Sequence, residues 1–256
     1  MIDEVFEALR EGVGTDADVY GLLAPVYRTV YTDWERIDGQ ATAVTAAAPD
    51  AETIAEIGCG SGDLCARLTS EYDRVIGLDP SPEMVQLARQ TADSSICRGS
   101  AGAIAPQSVD AVVMLGAVIG HIHPEGVARN VLQEAATALR PGGRLILSAH
   151  NAGHVADGRQ RELTTTTSEY RITQRDQWQS TAKPGVFEWQ VEYELTQLTT
   201  EDSVEANTSV SIRAFDEATL REWLTDAGFQ ITEFRPRWYV DGEAERAFVT
   251  VAERPE

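Results

Sequence analysis

The clearest chemistry in the chain sits in the seven residues Glu56-Ile57-Gly58-Cys59-Gly60-Ser61-Gly62, followed by Asp79 at the end of Val75-Ile76-Gly77-Leu78-Asp79. Glycine lets the backbone turn sharply and approach a ligand with no Cβ in the way. The N–H groups of a helix that follows such a turn, here near Leu64 to Leu68, point toward the ligand. A carboxylate ending the next strand can accept hydrogen bonds from both hydroxyls of a ribose. The pattern is therefore a holder for an adenosine. The spacing narrows the ligand further. A dinucleotide turn has glycine at its first, third and sixth positions and sets a pyrophosphate on the helix. Here the glycines occupy the first, third and fifth positions, with Glu56 two residues ahead. A carboxylate beside the turn would repel a pyrophosphate but suits a ligand carrying an ammonium and a sulfonium.

These residues need elements to hold them. Residues 1–50 are largely helical in pattern, with Val19 to Tyr27 continuing toward Trp34. Strands are expected near Thr53–Ile57, Arg74–Leu78, Ser95–Arg98, Val109–Leu115 and Arg144–Ala149. A first helix falls near Leu64–Ser70. Pro80-Ser81-Pro82-Glu83 opens a second, with Ser81 as N-cap and Pro82 at the first helical position. A long helix from about Glu125 stops at Leu139, before Arg140-Pro141-Gly142-Gly143. Alternating strands and helices predict an α/β fold, a doubly wound parallel sheet with ligands at the strands' C-terminal ends.

After residue 155 the pattern changes. Phe187, Trp189, Val191, Tyr193 and Leu195 alternate with Glu188, Gln190, Glu192 and Glu194, an antiparallel strand with one wet face. Glu162 to Trp178 and Ser203 to Ile212 alternate more weakly. Residues 155–213 therefore read as an inserted antiparallel layer over the mouth of the main sheet, within one domain spanning 1–256. Asp216 then caps a helix through Ala227. A sixth strand starts at Gly228-Phe229, and Ala247–Ala252 forms a seventh.

The chain has 256 residues and a formal net charge of −20, with Lys183 its only lysine. Such an acidic surface argues against a nucleic-acid partner, because phosphate backbones would be repelled. A strongly acidic, lysine-poor composition is what a salt-loving microbe's cytosolic protein shows, where molar salt cuts the Debye length to roughly 3 Å. No run has the length of a membrane span, and the N-terminus lacks a signal peptide's basic and apolar regions, so a cytoplasmic location is expected. Cys59, Cys65 and Cys97 lack paired metal spacing and read as reduced packing thiols; no metal site is expected.

The glycine turn resembles motif I of the class I S-adenosylmethionine (SAM) methyltransferases, with Asp79 at the matching second motif. Asp79-Pro80-Ser81-Pro82-Glu83-Met84, the Leu139–Gly143 turn and Leu220…Leu224…Ala227-Gly228-Phe229 look like segments of the same family, covering about 50–150 and 215–252. The resemblance implies a seven-stranded sheet of order 3-2-1-4-5-7-6 with strand 7 antiparallel. It also implies SAM as cofactor and S-adenosylhomocysteine (SAH) as product. Cofactor contacts would fall to Glu56, Gly58, Cys59, Gly60, Gly62, Asp79, Pro80, Met84, Ser100, Ala101, Leu115 and Gly116, with Tyr20 and Tyr27 as candidates for a lid; helix packing is the equal alternative for Tyr27 and Trp34. Ser100 departs from the aspartate that many members use toward the adenine amine. The N-terminal helices and the insert look like the small-molecule N-methyltransferases, including those acting on amino sugars.

Acceptor residues are expected in the loop after the fourth strand, the N-terminal segment and the insert. His121 stands where a substrate would sit, and its ordinary pKa near 6.5 suits a general base; a capping or packing role is the plain alternative. His150 ends the fifth strand, and His123 has a weaker case. Trp189 and Tyr193 are candidates for the acceptor pocket, although alternation alone requires only a core. Arg213 is a candidate for an acidic acceptor, although an arginine at a strand end commonly meets a surface carboxylate. A short-chain dehydrogenase is excluded, since Gln179 stands where its tyrosine would precede Lys183. A nucleic-acid methyltransferase would show an Asn/Asp-Pro-Pro-aromatic tetrapeptide or a basic patch, and neither is present. The expectation is methyl transfer to a small molecule, nitrogen favoured over oxygen. A SAM-binding regulator without turnover is the alternative, and a homodimer stays open.

Overall fold

The structure, a computed structural model, describes residues 1–13, 18–155, 157–235 and 247–255. The chain divides into two compact units, one of residues 1–32 and 156–212, the other of 33–155 and 213–256.

The larger unit contains α3 (Trp34–Ala47), β1 (Thr53–Ile57), α4 (Asp63–Leu68), β2 (Arg74–Asp79), α5 (Pro82–Thr91) and β3 (Ser95–Arg98). It continues through β4 (Val109–Met114), α6 (Val118–His121), α7 (Glu125–Ala138), β5 (Leu139–His150), α8 (Glu217–Asp226), β10 (Gln230–Arg235) and β11 (Ala247–Glu253). Its seven strands lie in the order β10-β11-β5-β4-β1-β2-β3. β1 to β5 run parallel, and β11 runs antiparallel to both β5 and β10. This is the order and polarity that the resemblance implies.

Side chains alternate across a strand, so each central strand feeds two cores. Ala55, Val112, Met114, Leu145 and Leu147 join α7 and α8 on one face, while Ile54, Ala111, Val113 and Ile146 join α3, α4 and α5 on the other. The helix starts follow their caps. Ser81 Oγ accepts from Met84 N at 3.0 Å ahead of α5, and Asp216 Oδ1 accepts from Thr219 N at 2.7 Å ahead of α8.

The smaller unit holds α1 (Ile2–Arg10), α2 (Ala24–Tyr31) and a four-stranded sheet. Its strands are β6 (Gln160–Thr166), β7 (Tyr170–Ser180), β8 (Val186–Gln197) and β9 (Ser203–Arg213), in sequential order. The expected helical stretch 1–50 thus appears as α1 to α3, its residues 14–17 lying outside the described residues, as does residue 156 of the insert. On one sheet face Tyr170, Ile172, Gln174, Asp176 and Trp178 of β7 are buried, as are Phe187, Trp189, Val191, Tyr193 and Leu195 of β8.

Three expectations need correction. The weakly alternating stretch from Glu162 to Trp178 is two strands, because Thr167 Oγ1 accepts from Glu169 N at 3.2 Å and Tyr170 N at 2.9 Å and turns the chain. β5 starts at Leu139, which already pairs with Val109 of β4. A short helix, α6, stands where only a loop was expected.

Candidate cofactor and acceptor sites

The turn after β1 is held by three hydrogen bonds to the end of β2. Gly58 N and Cys59 N both donate to Leu78 O, at 2.7 and 3.0 Å, and Gly60 N donates to Asp79 Oδ2 at 2.9 Å. Asp79 also accepts from Ser81 N through Oδ1 at 2.9 Å. One carboxylate therefore ties the glycine turn to the start of α5. Burial raises its pKa, and these two amides pull against that. Each of its oxygens keeps acceptor capacity for a further donor.

The three glycines do different work. All have positive φ, which L side chains rarely adopt. A Cβ on Gly58 would come within 2.6 Å of Val118 Cγ1 in α6, and one on Gly62 within 2.9 Å of Ala88 Cα in α5. A Cβ on Gly60 would meet nothing within 4 Å, and the same holds for one on Gly116, at φ +74° in the loop after β4. Gly58 and Gly62 are pinned by packing, whereas Gly60 and Gly116 present bare backbone to open space, as a ligand approaching the main chain requires. Gly116 and Ala117 are consecutive left-handed residues, and such strain collects at functional sites. Ala117 N is anchored by Ser148 Oγ at 3.0 Å.

Glu56 does not behave as the anionic neighbour that the sequence argument supposed. Its side chain is buried and accepts from the Cys65 thiol, Sγ to Oε2 being 2.9 Å. Burial pushes its pKa up to about 8, with Asp79 and Asp63 adding to the rise. Burial thus favours the neutral carboxyl and weakens the charge it presents beside the turn. Cys59 is buried beside the turn, and its thiol meets Gly60 O at 3.9 Å.

Among the other expected cofactor residues, Met84, Ala101 and Leu115 are buried, while Pro80 is exposed and its carbonyl accepts from Arg98 Nε at 3.0 Å. Ser100 precedes the 3-10 turn Ala101–Ala103, and Gly99 N donates to Asp79 O. The loops after β1, β2, β3, β4 and β5 all leave the same edge of the parallel sheet.

The structure brings the histidines together at this edge. His121 ends α6 and His150 ends β5. Burial pushes the His121 pKa down to about 3, with repulsion from His150 and His123 adding to it. His121 is therefore neutral at physiological pH and a poor proton acceptor. Arg213 meets the carboxylate of Glu125, Nη2 to Oε2 at 3.0 Å, and its guanidinium lies 5.4 Å from the centre of the Trp223 ring. Its charge is committed there, contrary to a role in holding an acidic acceptor.

The remaining expected residues lie in the smaller unit and form one aromatic cluster. Tyr20 and Tyr27 have ring centres 5.4 Å apart, Tyr27 and Tyr31 4.5 Å, Tyr31 and Trp189 6.3 Å. Burial pushes the Tyr20 and Tyr193 hydroxyls well up from their ordinary values. Sequence reasoning missed Tyr31, Arg161, Gln174 and Asp176, which complete this cluster. Arg161 Nη2 donates to Asp176 Oδ2 and to Tyr31 OH, both at 2.9 Å, and Gln174 Nε2 donates to Asp176 Oδ2 at 2.8 Å and to Tyr31 OH. The signal was in the sequence: Gln174 and Asp176 share the parity of Ile172 and Trp178, so they are polar residues on a buried face. A trough of about 990 Å³ crosses the four strands at the rung of Arg161, Asp176 and Val191. Exposed polar side chains such as Glu162, Arg175, Gln190 and Ser209 make most of its lining, while Gln174, Trp189 and Tyr193 do not border it. The aromatic and polar cluster, not the trough, is the candidate for recognition. Among the described residues no group of His, Cys, Asp and Glu is placed to hold a metal ion.

Comparison with known proteins agrees with this geometry. Residues 54–143 match the family model of a methyltransferase domain. The chain is 30% identical over 105 residues to a ubiquinone biosynthesis O-methyltransferase of Methylobacterium sp. (strain 4-46), a match covering 39% of this chain and 41% of that protein. The match thus spans about two-fifths of the curated relative's length. Among solved structures, a SAM-bound amino pentose methyltransferase from Micromonospora echinaspora superposes with a TM-score of 0.74 at 19% identity, covering 91% of this chain and 96% of that one. A sugar N-methyltransferase from Streptoalloteichus sp. ATCC 53650 gives 0.74 at 18% identity, covering 90% and 92%. At such identities the likeness is one of fold. Residues 54–143 thus match a methyltransferase domain, and the chain shares the fold of these solved methyltransferases.

Proposed function

We propose that the protein transfers the methyl group of SAM to a small-molecule acceptor, at nitrogen rather than oxygen. The observation that carries the cofactor half is the turn Gly58–Gly62, latched to Asp79 and bare at Gly60. Asp79 has acceptor capacity for two ribose hydroxyls, and the backbone at Gly60 and Gly116 leaves room for a ligand against the main chain. Bound SAM supplies an electrophilic methyl on a sulfonium; orientation and electrostatics are the protein's part.

The preference for nitrogen follows from His121. An alcohol acceptor gains from a general base with a pKa near the working pH. An imidazole held near 3 offers little proton affinity, but a neutral amine attacks through its own lone pair and loses its proton afterwards. His121 then serves as a neutral hydrogen-bonding group at the end of α6. The insert 155–213, with the N-terminal segment, is read as the acceptor-recognising layer, and Tyr20, Tyr27, Trp189 and Tyr193 as its lining.

Calorimetric titration with SAM, SAH and NAD tests the cofactor. The expected result is binding of the first two without NAD, and at least a tenfold loss in both Gly60→Val and Asp79→Ala. Unchanged affinity in both variants would remove the site assignment. Release of SAH with a panel of amines, and not with matched alcohols, tests the nitrogen preference.

A further inference from the structure

The buried face of the four-stranded sheet carries polar atoms with no partner. Gln174 and Tyr193 are directly opposed in the β7–β8 ladder; Asp176 is opposed to Val191 on the next rung of that face, and Trp178 to Trp189 on the one after. Gln174 and Tyr193 are 0% exposed, Asp176 4% and Trp189 5%. Yet Gln174 Oε1, Asp176 Oδ1, Trp189 Nε1 and Tyr193 OH all lack a hydrogen-bond partner. Buried polar atoms are nearly always paired, and each orphan costs stability. Four within three rungs of two neighbouring strands is a concentration that packing does not call for. The flanking rung of Ile172 and Leu195 shows what a core needs at these positions.

The partners already made define what is missing. Asp176 is neutralised by Arg161, and Gln174 Nε2 bridges to Tyr31, so the cluster needs no counter-ion. What remains is two acceptors, Gln174 Oε1 and Asp176 Oδ1, one donor, the Trp189 indole N–H, and the Tyr193 hydroxyl, which can do either. A group that satisfies them has at least two hydrogen-bond donors and one acceptor, close together. A carboxylate or phosphate would face two unpaired oxygens and be rejected. The rings of Tyr31, Trp178 and Trp189 supply apolar walls, with centres 6.3 Å apart for Tyr31–Trp189 and 6.4 Å for Trp178–Trp189.

We propose that Gln174, Asp176, Trp189 and Tyr193 form a ligand subsite within the smaller unit that takes a compact ring bearing adjacent hydroxyl or amino groups. As the place where the methyl acceptor is recognised, it rests on the methyl-transfer reading; as a binding subsite it stands without it. The four residues set specificity, admitting donor-rich acceptors and excluding apolar and anionic ones.

The test uses the full chain labelled with ¹⁵N at tryptophan, the Trp189 indole signal being assigned by its loss in Trp189→Phe. It is titrated with myo-inositol and glucosamine, and with cyclohexanol and cyclohexylamine as rings of matched size. The expected result is a saturable shift of the Trp189 signal with a hydroxylated ring and none with the cyclohexanes. Tyr193→Phe, which removes one oxygen, should weaken that binding about tenfold while SAH affinity stays unchanged. A Trp189 signal indifferent to both hydroxylated rings, as trapped water alone would leave it, overturns the subsite. So does equal response to cyclohexanol, or unchanged affinity in Tyr193→Phe. Failure to bind SAH would overturn the methyl-transfer reading, and the ring titration would still decide the subsite.

Discussion

Glu56 is a buried carboxyl beside the glycine turn, and its protonation ties stability to pH. Its folded-state pKa of about 8 lies far above the ordinary glutamate value near 4.3. The folded protein therefore holds a proton that the unfolded chain releases. The stability this contributes is complete below the unfolded pKa and is lost as pH rises through 8. His121 acts in the opposite sense: with its pKa lowered to about 3, its contribution is complete above 6.5 and is lost as pH falls below that. Between pH 6.5 and 8 the two separate. In that window the urea midpoint of the ligand-free protein should fall with rising pH. Glu56→Gln, which mimics the protonated form and can still accept from Cys65, should flatten the fall and leave the variant more stable than the parent at pH 8. An identical slope in parent and variant would show that Glu56 does not hold the proton.

Elements position the site through contacts between helices rather than through propensity. α4 is only six residues long, and Gly62 at its N-cap touches Ala88 of α5, so the helix starts where the backbone can pass that close. Gly62→Ala should cost roughly 2–4 kcal/mol, combining left-handed strain of about 1–2 kcal/mol with displacement of α5. Gly60→Ala, with open space around it, should cost only the strain in denaturant unfolding yet weaken SAH binding more than Gly62→Ala does. Equal unfolding costs for the two would mean that packing does not distinguish these glycines. Much of this frame was legible in the sequence, because the glycine spacing, the Ser81 and Asp216 caps and the period-two alternation are local signals. What escaped notice needed a partner to be read. The turn at Thr167 is made by a side chain folding back on the next amides, which interrupts an alternating stretch without glycine or proline. Gln174 and Asp176 are polar, and only the strand parity they share with Ile172 and Trp178 marks them as buried-face residues. The neutrality of Glu56 and His121 comes from burial by residues distant in sequence, so spacing alone favoured an anion and a base.

For the molecule as a whole, the net charge of −20 sets attraction and repulsion against each other over different distances. The attractions are short: Arg129 reaches Glu125, Glu222 and Asp226 at 2.9–3.1 Å, and Arg175 reaches Glu162, Glu192 and Glu194 at 2.7–3.0 Å. Exposed pairs of this kind are worth about 0–1 kcal/mol each. The repulsion among the excess carboxylates acts over longer separations. Raising salt from 0.1 to 1 M shortens the Debye length from about 10 to about 3 Å, which removes the long-range repulsion and leaves contacts near 3 Å largely in place. Range decides the sign, and stability should rise with potassium chloride. A gain of about 2 kcal/mol would move the melting temperature by roughly 4–8 °C for a domain of this size. The control is a variant carrying Asp50→Lys, Asp93→Lys and Glu205→Lys, three exposed positions where each change adds two positive units. Its melting temperature should start higher at 0.1 M and gain less from salt than the parent's. If the parent's melting temperature is flat or falls with potassium chloride, the short ion pairs outweigh the net charge and the acidic surface is not a strain that salt relieves. If parent and variant gain equally, the rise comes from the general effect of salt on apolar burial, and charge is not its cause.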